Sequence, residues 1–121
     1  MSCIISISDQ TEDRWVIRNA IHEWFINLVL ERFGGNAALS EKLKQSVYFH
    51  GLGLDDLHAE NPSLAIAAFH ALATVAEEVA KGSHPLKDPA GRPWPEFQRK
   101  VEQSFSNLVA LLQRFRNSTL P

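Results

Sequence analysis

Apolar residues return at helical spacing in four stretches of this chain, and each stretch is bounded by residues that start or stop a helix. In the first stretch Ile17, Ile21, Trp24, Phe25 and Leu28 share one face, widened by Trp15, Val29 and Phe33. Asp9 with Glu12 reads as a capping box and Gly34-Gly35 as a stop, which predicts a helix over about residues 10–33. Its solvent strip is Asn19, Glu23, Asn27 and Glu31. Arg14, Arg18 and His22 form a second strip beside the apolar face, suited to holding an anion or to laying their stems along the core edge.

Asn36 caps a second helix over about 37–49, with Leu39, Leu43 and Val47 on one stripe that Tyr48 and Phe49 enlarge. Gly51-Leu52-Gly53-Leu54 then breaks the pattern, and Asp55-Asp56-Leu57-His58 fits a single turn. Asn61-Pro62 starts a third helix over about 62–81, ended by Gly82, with Leu64, Ala65, Ala68, Phe69, Leu72, Val75, Ala76 and Val79 on the buried side. Four of the six prolines fall in residues 83–95, where Asp88-Pro89-Ala90-Gly91 suits a tight turn and hence a projecting hairpin-like loop. The last helix covers about 95–116, with Phe97, Val101, Phe105, Leu108, Leu112 and Phe115 in a narrow stripe. Ahead of all four, Ile4-Ile5-Ser6-Ile7 is β-branched and extended, a short strand or a segment lying on the helices. The predicted fold is therefore all-α, a compact bundle of four main helices in one domain over residues 1–121.

Composition does not change this picture: 45% hydrophobic and 21% charged residues are ordinary for a globular chain, and 121 residues suit one core. No run reaches the ~18 to 20 consecutive apolar residues of a membrane span, and residues 1–8 lack the basic start of a signal peptide. A membrane partner is not expected. Cys3 is the single cysteine, so the chain forms no internal disulfide and no thiolate cage, which points to a reducing, cytoplasmic setting.

Charge does change the picture. The net −2 hides a segregation along the chain, because residues 45–80 contain no Lys or Arg and hold Asp55, Asp56, Glu60, Glu77 and Glu78. Residues 81–121 carry seven basic against three acidic side chains. Either the acidic middle pairs with the basic C-terminal part, or it steers a basic partner.

Catalytic signals are poor. There is no P-loop, GxGxxG, HExxH, GxSxG or EF-hand loop, so no cofactor is called for and no catalytic residue is assigned. The densest polar group is His50, Asp55, Asp56, His58 and Glu60, which supports an alternative reading as a small helical metal-dependent enzyme using His50, Asp55, Asp56 and His58. The same residues are ordinary for exposed turns and caps. His22, His70 and His84 read as dispersed surface or boundary histidines, and Cys3 has no basic neighbour to activate it. A net acidic chain without a helix-turn-helix pattern or a basic aromatic stripe argues against nucleic acid.

What remains is a non-catalytic protein-binding module whose candidate partner-binding residues are Asp55, Asp56, Glu60, Glu77, Glu78 and Trp94, the last lying between two prolines in the projecting loop. In size, cytoplasmic character and acidic patch the chain is similar in type to the small bacterial immunity proteins, which implies toxin neutralisation with a basic toxin domain as protein partner. Self-association into a homodimer is open as well, because Ile4, Ile5, Ile7 and the broad first helix offer more apolar surface than a small core needs. Otherwise those isoleucines close the bottom of the bundle.

Overall fold

An extended, β-branched segment buried against helices would leave rows of backbone N–H and C=O groups without partners. That requirement decides the fold. In the computed structural model, which describes residues 2–8 and 13–120, the first segment is a strand, β1 (Ser2–Ser6), paired on both sides. On one side lies β2 (Arg14–Arg18), antiparallel, with Ile5 opposite Trp15 and Ile4 opposite Val16. On the other lies β3 (Gly51–Gly53), parallel, with Ile4 opposite Gly51 and Ser6 opposite Gly53. Between and after these strands run α1 (Asn19–Phe33), α2 (Ala37–Tyr48), α3 (Leu54–Glu60), α4 (Pro62–Ala80) and α5 (Pro95–Thr119).

The molecule is therefore not the all-α four-helix bundle that helical spacing predicts: the described residues form five helices and a three-stranded mixed sheet of order β2-β1-β3. The predicted first helix divides. Residues 14–18 alternate, with Trp15 buried, Ile17 partly buried, and Arg14, Val16 and Arg18 exposed, which is the period of two of a half-buried strand. Trp15, Val16 and Ile17 are strand-favouring residues, and β1 needs their hydrogen bonds. Arg18 is extended at the start of α1, so the predicted Arg14–Arg18–His22 strip does not exist. The two arginines lie on the sheet and His22 is inside the core. The Asp9–Glu12 capping box falls outside the described residues.

Two further corrections follow from the same strand. The Gly51–Gly53 break is β3, and the single turn after it is a two-turn helix, α3, with Leu54 and Leu57 buried and Asp55 and Asp56 in its first turn. Carboxylates there favour the exposed N–H groups of the helix start. The Asn caps are where the next helices begin: Asn36 accepts from Leu39 N and Asn61 from Leu64 N, each at 3.1 Å.

One face of the sheet, bearing Cys3, Ile5, Trp15 and Leu52, packs on the helices; the other carries Ile4, Val16, Arg14 and Arg18 outward. Trp15 ties β2 to α5, since its indole N–H donates to Ser104 O at 2.8 Å and its ring lies edge-on to Phe105 at 5.0 Å. Phe25 completes this aromatic knot, 4.8 Å from Phe105. α4 is long and apolar enough to cross a bilayer by length and composition alone, yet Ala65, Ala68, Leu72, Val75, Ala76 and Val79 on it are all buried in the core. Its alanines let α5 approach closely. The loop between α4 and α5 is pinned by Asp88, whose Oδ1 accepts from Ala90 N and Arg92 N at 2.9 Å, and Lys87 bridges to Pro93.

Leu108 and Leu112 on α5 are fully buried among these groups. Leu108→Ala is expected to lower unfolding stability by ~2 to 5 kcal/mol in denaturant titration, the cost of lost methyl burial and a cavity. A loss below about 0.5 kcal/mol would show that this stripe is not core.

Candidate functional site

The predicted acidic surface does not assemble in one place. Asp55, Asp56 and Glu60 sit on α3, whereas Glu77 and Glu78 sit near the far end of α4. At 1.5 Å rise per residue, roughly 24 Å of helix separates Pro62 from Glu78. Glu78 is committed internally: it pairs with Arg32 and accepts from His84 Nε2 at 2.9 Å. Those hydrogen bonds, His84 first and then Arg32, hold its carboxyl below the usual glutamate range. Glu77 is exposed nearby. On α3, Asp55 accepts from Thr119 Oγ1 at 3.4 Å, Glu60 lies 3.4 Å from Lys42 Nζ, and Asp56 is exposed. Trp94 is elsewhere again, 43% exposed and stacked on Phe97 at 4.6 Å, so it is neither a core residue nor a free anchor.

The His50, Asp55, Asp56 and His58 group does not converge as a metal centre. Among the described residues no three His, Cys, Asp or Glu side chains are placed to hold an ion together. His50 is in the turn before β3 and Asp55 is turned toward the end of α5.

A different polar group is buried where the sequence suggests only surface. His22 is 1% exposed and Ser46 2%, with His22 Nε2 and Ser46 Oγ 3.0 Å apart; the Cys3 thiol donates to Ser46 O at 3.7 Å. A serine, a histidine and a cysteine together invite a hydrolytic reading. The hydrogen bonds oppose it. The Ser46 hydroxyl proton is given to Leu43 O at 2.6 Å, so Nε2 of His22 must be the donor to Ser46 Oγ. The histidine thus holds its lone pair on Nδ1, the wrong nitrogen to take a proton from Ser46. Burial pushes the His22 imidazole down to about 4 and the Cys3 thiol up to about 11, so both stay neutral. The trio links β1, α1 and α2 through the core.

Tyr48 and Phe49, which extend the apolar stripe of α2 in the sequence, are a surface feature. They are 77% and 70% exposed, with ring centroids 5.0 Å apart, edge to face. α2 ends at Tyr48, and Phe49 N–H still bonds to Gln45 O. His50 then takes a left-handed backbone, φ 61°, and its carbonyl accepts from Ile4 N at 3.1 Å. This reversal turns the chain from α2 into β3 and leaves both rings in water. A left-handed non-glycine is uncommon, and the strand beyond it over-determines it here. The signal in the sequence is an aromatic pair at the helix end with a glycine, Gly51, two residues beyond it.

Grooves flank Phe49 on both sides. A broad one of about 640 Å³ runs along α2, lined by Ala37, Glu41, Lys44, Tyr48 and Phe49. A narrower one of about 230 Å³ lies between α2 and α3, with Gly51 and Gly53 of β3, Phe49, Leu57, Asp56 and Glu60 in its lining. Lys42 on α2 reaches Glu60 on α3 across it. The arrangement brings an exposed aromatic pair, a free strand edge and two carboxylates together. Compared with known proteins, the chain matches no family model, no curated sequence and no solved structure.

The buried His22 makes stability depend on pH. Its folded value lies below the unfolded 6.5, so the unfolded chain takes up the proton first as acid is added. Stability is expected to be full above about pH 6.5 and to fall by about 3 kcal/mol toward pH 4, at roughly 1.4 kcal/mol per pKa unit. Denaturant titrations across this window check it. His22→Leu should flatten the upper part of the profile, leaving the loss at lower pH where Glu78 becomes protonated. An unchanged slope in that variant would contradict the assignment.

Proposed function

We propose that this chain is a non-catalytic protein-binding module that docks a partner on the Tyr48–Phe49 pair, with Asp56 and Glu60 as an acidic rim. The observation that carries this reading is the exposure of two adjacent large aromatics in a small fold that buries its other phenylalanines wholly or in part. Aromatic anchors beside pockets supply most of the affinity in protein interfaces, while rim charges mainly set partner choice and encounter rate. Asp55, the less exposed neighbour on α3, adds to the same field. The partner is therefore a protein with a basic face. Glu77, Glu78 and Trp94 lie off this surface and have no part in it. The narrower reading, a cytoplasmic immunity protein that neutralises a basic toxin domain, rests on chain length and on this acidic rim.

Proteins captured from the source cells by the tagged full chain should be lost with Tyr48→Ser/Phe49→Ser, with affinity down about 30-fold for each ring, an anchor being worth ~2 kcal/mol. Melting should hardly change, since exposed side chains contribute within about 0.5 kcal/mol. Asp56→Lys/Glu60→Lys should slow association, most at low salt. Recovery of the same proteins by the aromatic double variant would overturn the reading.

A further inference from the structure

Resting on that docking reading, we infer that the partner enters as an extended segment that adds a strand to the β3 edge, presenting a lysine or arginine to Asp56 and Glu60. Among the described residues the sheet order β2-β1-β3 leaves β3 with one side unpaired. In a parallel ladder each residue of one strand bonds to the two residues flanking its counterpart on the other. Ile4 faces Gly51 and takes the carbonyl of His50, so the register gives Leu52 to β1 and turns the N–H and C=O of Gly51 and Gly53 away from it. All three β3 residues, Gly51, Leu52 and Gly53, line the narrow groove, and the register is what turns the two glycines' backbone groups toward it. Gly53 also caps α3, so its carbonyl takes the first helical bond, and two donors, the N–H groups of Gly51 and Gly53, and one acceptor, the Gly51 carbonyl, face a cleft walled by α2 and α3.

The two sheet edges are not equivalent. On β2, exposed Arg14 and Arg18 stand either side of Val16. A second copy pairing antiparallel there, centred on Val16, would set arginine against arginine, a device that blunts strand edges. On β3 the edge is Gly-Leu-Gly, with no charge, no proline and no side chain on the residues whose backbone groups are free. At ~3.3 Å per residue it offers about 10 Å, enough for two or three residues of an incoming strand. An added strand sends alternate side chains to opposite faces, which gives the mode its specificity.

Chemistry at the cleft selects the occupant. Asp56 Oδ2 lies 3.0 Å from where a side chain on Gly53 would begin, so a carboxylate borders the free edge. Among the described residues the exposed Glu60 is held by the partly buried Lys42 at 3.4 Å, a pair of small worth that an incoming cation can replace. Phe49 at the mouth covers an apolar side chain. The matching segment is one with basic and apolar residues in alternation.

The test is an ¹⁵N NMR titration of the full chain with three heptapeptides: alternating valine and lysine, the same with glutamate for lysine, and the lysine peptide N-methylated at alternate residues on the edge-pairing side. The expected result is that the lysine peptide shifts the Gly51 and Gly53 amides, the glutamate peptide does not bind, and N-methylation weakens binding about tenfold, through loss of the main-chain hydrogen bond to the Gly51 carbonyl and the bulk of the methyl against the edge. Equal binding after N-methylation, with shifts confined to Tyr48 and Phe49, would overturn strand addition while leaving the aromatic docking intact. No shift with any peptide would likewise overturn strand addition, and the capture by the aromatic variant still decides the docking reading separately. Gly51 and Gly53 shifts that follow protein concentration without peptide would name a second copy as the occupant and overturn the basic segment.

Discussion

β1 is paired on both sides, and the rest of the molecule is arranged around that fact. Its five residues pair with β2 and three of them, Ile4 to Ser6, with β3, and Ile5, paired on both sides, is fully buried against the helices. Burying such a side chain stabilises by about 1.5 to 3 kcal/mol, and only a strand with both backbone edges satisfied can take it into the core without an unpaired-amide penalty. Pairing on one side pulls residues 14–18 out of the helical pattern and brings Trp15 onto Phe105 and Ser104 of α5. Pairing on the other fixes residues 51–53, and so forces the left-handed reversal at His50 that leaves Tyr48 and Phe49 in solvent.

Much of the helical half is legible from the chain because its signals are local. Asn36 and Asn61 cap their helices with their own side chains, Pro62 and Pro95 begin theirs, and the α5 stripe from Val101 to Phe115 has a clean helical period. The sheet is not legible in this way. Trp15 and Ile17 sit where a helix face extended back from α1 would have them, and five residues are too few for period two to outweigh period 3.6. Ile5 lies ten residues from its partner Trp15 and forty-seven from its partner Leu52, so the deciding hydrogen bonds are non-local.

The candidate site was half visible. Charge along the chain pointed to Asp56 and Glu60, which do border the groove, but also to Glu78, which a fold-dependent pairing with Arg32 and His84 neutralises. Nothing in a one-dimensional charge count distinguishes the two. Tyr48 and Phe49 continue an apolar stripe and so read as core, yet their exposure depends on where α2 ends, which β3 sets. His22 went the other way: a histidine among helical polar residues is buried because Ser46 on α2 meets it. In both cases tertiary pairing, rather than residue type, decides which side of the surface a side chain occupies.

The parallel β1–β3 register is the link between fold and groove, and amide hydrogen exchange of the free full chain reads it residue by residue. Ile4 and Leu52 should be among the slowest amides, while Gly51 and Gly53, in the same strand and only one residue from Leu52, should exchange many-fold faster because their N–H groups face the groove. Equal strong protection at Leu52, Gly51 and Gly53, or fast exchange throughout β1, would contradict the register and with it the free edge.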